Sequence, residues 1–473
     1  MRWSALLLGA AALAGCSMAP VYHRPASPAP PAWPVGEAYP QQGEAALPGY
    51  SYREVFADPR LRAVIDQALA NNEDVRTALA NIEAARAQYH IQRAGLFPRL
   101  DGDAGYRRSR GQAGAGAGNS FTAEVSVASW EIDIFGRIRS LTGAARERYL
   151  GSKAAARAAR LTLVADVADA WITYGLDSSL LRIAGQTADA ARDSVRLTRR
   201  RLDGGIAPRS DLRQAEIVLE TAQADVANQT TLVAQDINAL QLLVGAPVDP
   251  ANLPATVEDA GARLREVPAG LDSAILLRRP DVIEAESLLR AANAEIGAAR
   301  AALFPRITLT GLFGFASQAL GKLFTGDAFT WQAGGGAGHT IFAAGAGRAN
   351  VRLSEAQRDA ALAGYRKAIE SAFADVSDAL ARRGTIDAQL RAGRAGRDAA
   401  ADNLHLAELR YRGGVDSYLG ELTARQTLYN AERAFANTQR LRAANLVALY
   451  RSLGGDLLAD VPAPRSDYDN HSQ

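Results

Sequence analysis

The sequence predicts a mainly α-helical chain that also supplies four strands to a β-barrel. Three observations lead there: a tandem internal repeat, a hairpin of alternating strands in each unit, and a helical pattern after each hairpin far too long for a compact domain.

The repeat comes first, because missing it would misread everything else. Arg93-Ala-Gly-Leu-Phe-Pro-Arg99 recurs as Arg300-Ala-Ala-Leu-Phe-Pro-Arg306. Ile134-Phe135 recurs as Ile341-Phe342, Gly136-Arg137 as Gly347-Arg348 after a short insertion, and Gly204-Gly205-Ile206 as Gly413-Gly414-Val415. These landmarks keep one order at offsets of 207 to 211.

Each unit carries the same parts. Leu61 to about Gly95 reads as one helix, with Asp58-Pro59 as its start signal and Phe97-Pro98 as its stop. Two hairpins follow the Phe-Pro stops, at about 100–134 and 306–342. In the first, Gly102, Ala104 and Tyr106 alternate with Asp101, Asp103 and Arg107. A glycine-rich turn from Gly111 to Asn119 follows, then Phe121, Ala123 and Val125 alternate with Thr122, Glu124 and Ser126. The second repeats the pattern with Ile307, Leu309 and Phe313, then Phe329, Trp331 and Ala333. Period two with one apolar and one polar face suits a lipid-facing, water-lined barrel; a soluble amphipathic sheet is the alternative.

Long helical patterns come next, about Arg139 to Leu202 and Ala349 to Arg412. Val164, Val167, Trp171 and Tyr174, then Leu362, Tyr365, Ile369 and Phe373, fall at coiled-coil-like spacings of three and four. Unbroken, ~64 residues at ~1.5 Å each approach 100 Å. Breaks near Gly185 and Gly384, giving a bundle of shorter helices, are the competing expectation. The Gly204-Gly205 and Gly413-Gly414 turns reverse the chain into returning helices, about Arg209 to Leu243 and Ser417 to Leu453.

The N-terminus reads as an export signal. Arg2 precedes an apolar run, Trp3 to Leu13, too short to span a bilayer. Leu13-Ala14-Gly15-Cys16 resembles a bacterial lipobox, and Cys16 is the chain's one cysteine. We expect Cys16 to be acylated, with Ser17 permitting outer-membrane sorting. The division is then a signal peptide at 1–15, a lipidated Pro-rich tether outside the core at 16–50, a first unit at 51–250, a linker at 251–275, a second unit at 276–456 and a tail at 457–473. Beyond the signal there is no run of ~18 apolar residues, so a spanning part must be β-barrel. Four strands cannot close one, since the smallest use ~8. Association of copies supplies the rest, and three copies give twelve strands.

Several motifs resemble the NodT family of outer-membrane efflux lipoproteins, relatives of OprM and TolC. They are Leu276-Leu-Arg-Arg-Pro-Asp-Val282, Leu289 through Arg306, Trp130-Glu-Ile-Asp-Ile-Phe-Gly-Arg137, Cys16 through Pro25, and Arg410-Tyr-Arg-Gly-Gly-Val-Asp-Ser-Tyr-Leu419. The resemblance spans all but the final ~15 residues. It implies a TolC-like homotrimer with a 12-stranded barrel continued by a helical periplasmic tunnel. It also implies a periplasmic membrane-fusion adaptor and an inner-membrane RND-type pump as partners. A type I protein-secretion channel and a pore-free periplasmic lipoprotein remain the alternatives.

Net charge is +2, from 53 basic and 51 acidic residues interspersed along helices, which gives no footprint for nucleic acid. His23, His90, His339, His405 and His471 are scattered, so no metal site, cofactor or catalytic constellation is expected. Function should sit where the helices turn. The resemblance implies a tip aspartate at Asp211, a constricting leucine at Leu419, and bracing residues at Arg410 and Tyr411. It departs at Gly420 and Thr423, where TolC-like proteins carry pore aspartates, and leaves Asp416 and Glu421 as the nearby acids. An acidic gate ring is therefore expected to be weakened or displaced, and gating to be asymmetric between the units. Helix capping is the plainer role for Asp211. Thr340 stands where a proline is common, which puts the second strand-to-helix bend in question.

Overall fold

A computed structural model describes residues 17–39, 51–110, 117–266 and 272–455; Cys16, the signal and most of the first glycine-rich turn lie outside these. The first helices are α1 (Tyr52–Val55), α2 (Pro59–Asn71) and α3 (Glu73–Ala94). The single helix expected from Leu61 to Gly95 is therefore two. Asn72 is extended, its side chain accepts from the Val75 N–H, and its Nδ2 donates to the Leu243 carbonyl at 2.9 Å. Capping by a short amide outcompetes helix continuation there.

Four strands follow the expected hairpins: β1 (Asp101–Arg110), β2 (Ala117–Ile132), β3 (Arg306–Ser317) and β4 (Phe329–Gly338). They form one antiparallel sheet in the order β1-β2-β3-β4. Val125, Phe313 and Trp331 share one row, and Tyr106 faces Phe121. Directly opposed residues point to one side of a sheet. One face is thus mainly apolar, with Arg108 and Arg110 at the far end of β1, and the other carries Thr122, Glu124, Thr308 and Gln332. Tyr106, Phe313 and Trp331 are 59%, 55% and 72% exposed, so the apolar face meets no other part of the chain. A bulge between Val127 and Trp130 shifts the β2–β3 register by one.

The long helices are α4 (Arg137–Asp203) and α8 (Ala346–Arg412), each of 67 residues and unbroken at Gly185 and Gly384. At ~1.5 Å per residue each spans about 100 Å. The returning helices are α5 (Arg209–Val244) and α9 (Tyr418–Ser452). Between the units lies α6 (Val257–Gly261), and α7 (Pro280–Ala301) opens the second unit as the counterpart of α3. Both long helices start after a left-handed glycine, Gly136 at φ 73° and Gly345 at φ 86°. The structural counterpart of Gly136 is accordingly Gly345, not Gly347. The bends also differ. Asp133 accepts from the Ile138 and Arg139 N–H groups at 3.0 and 2.8 Å, and Glu131 holds Arg137. The second bend has Thr340 at the matching place before Ile-Phe, no side chain caps α8, and Ile341 is 96% exposed.

One core joins both units where the helices pass midway, with Trp171, Tyr365, Ile369 and Leu449 fully buried. Trp171 donates its indole N–H to the Asn252 carbonyl at 2.8 Å. The inter-unit segment is packed too, since the Val257 N–H bonds Ser179 Oγ. The described tether, 17–39, is no free spacer. Arg24 clasps Glu286 through Nε and Nη2 at 2.9 and 2.6 Å, Trp33 stacks on Phe373 at 5.2 Å, and Ser273 bonds the Pro30 and Pro31 carbonyls. Burial alone would push the Glu286 carboxyl up, but Arg24 and Arg290 outweigh it and hold it below the usual range. Gly384 is where the strap crosses α8: a Cβ there would meet the Ala38 carbonyl oxygen. Proline keeps this segment extended, but side-chain partners on α7 and α8 hold it down.

Candidate functional site at the helix-reversal tips

Both reversals are built the same way. After α4, the Gly205 N–H bonds the Leu202 carbonyl and the Ile206 N–H reaches back to Arg201. After α8, Gly414 bonds Tyr411 and Val415 bonds Arg410. This is the Schellman arrangement, and it requires a left-handed residue. Gly205 (φ 75°) and Gly414 (φ 74°) supply it, while Gly204 and Gly413 close the helices before them.

Behind the turns the two units are stapled together. Tyr411 is buried, its ring 5.5 Å from that of Tyr418, its hydroxyl 3.4 Å from Thr198. Arg201 lies 4.6 Å over the Tyr411 ring and donates to the Tyr411 carbonyl at 3.0 Å. Val195, Leu212 and Ala215 complete the cluster. Beside it, Arg425 reaches Glu421 at 2.7 Å and Glu408 at 2.9 Å, and Ser194 donates to Glu421. Burial, and then the charge on Glu421, push the Tyr418 hydroxyl up to about 12.

The expected gate residues separate under this geometry. Leu419 and Thr423 are one helical turn apart on the exposed face of α9, and Thr423 Oγ donates to the Leu419 carbonyl at 2.9 Å. Glu421 points the other way. It is 5% exposed and paired with Arg425 within the chain, so the expectation of Glu421 as a free constriction acid is corrected. Asp416 is exposed but tied to Arg410 at 2.7 Å, a clasp across the turn itself. Asp211 sits in the first turn of α5, whose N-cap is Pro208, and takes no capping bond. The capping reading of Asp211 reduces to a favourable charge at a helix start.

Sequence reasoning missed Arg201, Glu408 and Arg425. Two signals were available. Glu421 and Arg425 have i,i+4 spacing, and Arg201 stands 209 positions before Arg410, at the same place in the other unit.

The family described as "Outer membrane efflux protein" matches residues 64–246 and 271–455. The chain belongs to this outer membrane efflux protein family. The toluene efflux pump outer membrane protein TtgC of Pseudomonas putida is 42% identical over 451 residues, covering 94% of this chain and 93% of that one. Outer membrane protein OprJ of Pseudomonas aeruginosa is 40% identical over 460 residues, covering 96% and 95%. The open-state MtrE channel of Neisseria gonorrhoeae superposes with a TM-score of 0.83 at 34% identity, over 93% of this chain and 99% of that one. The fold is TolC-like, and this family member is the outer-membrane channel of a tripartite efflux pump.

Proposed function

We propose that three copies close a twelve-stranded barrel above a helical tunnel, and that this homotrimer is the exit duct for small toxic compounds, drugs and apolar solvents among them. The carrying observation is a four-stranded sheet with β1 and β4 as unpaired edges, continuous with helices of about 100 Å. In lipid every exposed backbone group costs several kcal/mol, and ring closure between copies removes that cost. The relative named for toluene efflux supports an apolar cargo. The duct itself holds no cofactor and performs no chemistry; the pump selects what enters.

Acylated Cys16 anchors the assembly in the outer membrane, the tether runs down α7 and α8, and the tips lie deep in the periplasm. There they meet the membrane-fusion adaptor and the RND-type pump. The Leu419–Thr423 face narrows the path, and Asp211 supplies the acidic charge of the first unit. The two-unit division at 51–250 and 276–456 follows from the repeated parts. The test is purification from outer membranes, mass determination, and planar-bilayer recording, alongside complementation of a strain lacking its own outer-membrane duct. A trimer that conducts and restores solvent and drug tolerance is expected. A non-conducting, water-soluble product after Cys16→Ser would support the pore-free lipoprotein instead.

A further inference from the structure

We infer that the seam between neighbouring copies reuses the geometry of the seam inside the chain, placing Ala337 opposite Ala104, Gly335 opposite Tyr106 and Trp331 opposite Arg110 of the next copy. The inference rests on the trimer proposed above and fixes what that proposal leaves open, the strand register at the join.

Inside the chain, β2 of the first unit pairs with β3 of the second, with Trp130 opposite Leu309. At the outer edges β4 ends the second unit and β1 begins the first, so a ring of copies must pair β4 with the next β1. Counterparts follow from element lengths. Helices α3 and α7 each have 22 residues and start 207 positions apart, which equates β1 with β3. Helices α4 and α8 each have 67 residues, and their left-handed N-cap glycines lie 209 apart, which equates the lower part of β2 with β4. Carrying Trp130–Leu309 forward gives position 339 opposite Gly102, hence Ala337 opposite Ala104. A second route uses the hairpins. Asp101 faces Ser126 in the first and Thr308 faces Gly336 in the second. Carrying the internal pair Val125–Phe313 by those equivalences puts Gly335 opposite Tyr106, the same register.

The chemistry at this register is complementary. On the apolar face the Tyr106 ring covers the bare Gly335 backbone. Trp331, 72% exposed, meets Arg110, a guanidinium with no ion-pair partner among the described residues. On the polar face Asp103 and Arg107 come opposite Gly338 and Gly334, where no side chain competes for the space. That accounts for an otherwise weak, glycine-rich edge strand. The bends below carry the same asymmetry: Phe135 stacks on Phe304 at 4.7 Å within the chain, whereas Phe97 and Phe342 at the outer edges are 62% and 85% exposed.

Disulfide trapping reads the register directly, because Cys16 is the only native cysteine. Opposed strand residues have Cα atoms ~4.5–5.5 Å apart, within disulfide reach, and a two-residue slip adds roughly 6.8 Å along the strand. The full-length pair Ala104→Cys with Ala337→Cys, oxidised in membranes, is expected to run on a denaturing gel as a covalent trimer that reductant returns to monomer. Ala104→Cys with Gly335→Cys is expected to stay monomeric. Arg108→Cys with Ala333→Cys samples the same register should the first pair fold poorly. If wild type is trimeric by native mass but only the slipped pair links, or neither in-register pair does, the seam is wrong and the trimer stands. A monomeric wild type overturns both.

Discussion

Replacing Arg425 by Met should loosen the second tip far more than removing either acid it holds. The Arg425 side chain is 12% exposed and bridges Glu421 and Glu408, whose side chains are 6% and 24% exposed. Losing the cation leaves Glu421 buried beside a second carboxylate. Breaking a buried pair from one side costs about 3–5 kcal/mol, and ~1.4 kcal/mol is tenfold in an equilibrium. Amides of the first turns of α9 should then exchange with deuterium at least about a hundredfold faster. Glu421→Leu behaves differently. Leu212, buried at 8%, occupies the matching place in the first unit, 209 positions earlier, and Arg425 keeps Glu408. Less than about a tenfold change is expected. The double variant Arg425→Met, Glu421→Leu should recover most of the lost protection, since Arg425 Nε is buried without an acceptor, removing both charges together leaves no unpaired buried ion, and Glu408 keeps Arg412 at 3.7 Å. The reasoning is refuted if Arg425→Met accelerates exchange less than about threefold, or if the double variant is no better protected than the single.

Two further outcomes follow. Burial, and then the neighbouring Asp177 carboxylate, push the Asp236 carboxyl up to about 7 from an ordinary 3.8, and burial also raises Asp177. A carboxyl raised in the folded state stabilises below its unfolded pKa and loses that contribution as pH rises through the folded one. Asp236→Asn should therefore gain in melting temperature over wild type as pH climbs from about 4 to about 7 and hold that gain above it; a pH-independent difference would sink this account. At the tip, Thr423→Asp adds a carboxylate to each copy of the proposed trimer, where the resemblance to TolC-like proteins implies one. It should shift single-channel selectivity toward cations, and unchanged conductance and selectivity would show that Thr423 does not face the constriction.

Most of the architecture was legible because it depends on local periodicity and on a repeat. Alternation along β1 to β4 and the spacing of Val164, Val167 and Trp171 need no knowledge of distant residues. The Phe-Pro stops and Gly-Gly turns act through backbone geometry alone, and they marked where the chain turns. Local signals also misled. Helical periodicity ran on through Asn72, yet this residue ends one helix and caps the next because its side-chain amide reaches the Leu243 carbonyl of α5. Pro-rich 17–39 read as a spacer because composition reports backbone stiffness, not the Glu286 and Phe373 waiting on α7 and α8.

By itself, then, the sequence determined the doubled unit, the four strands, the long helices and the place of the tips, all consequences of backbone preference and hydrophobic period. Tertiary structure decided which tip side chains face outward. Glu421 and Thr423 are two residues apart on one helix, and a helix turns ~100° per residue, so one is exposed while the other is buried. Only the packing of α9 against α4 and α8 determined that Glu421 was the one turned inward, where Arg425 and Ser194 hold it.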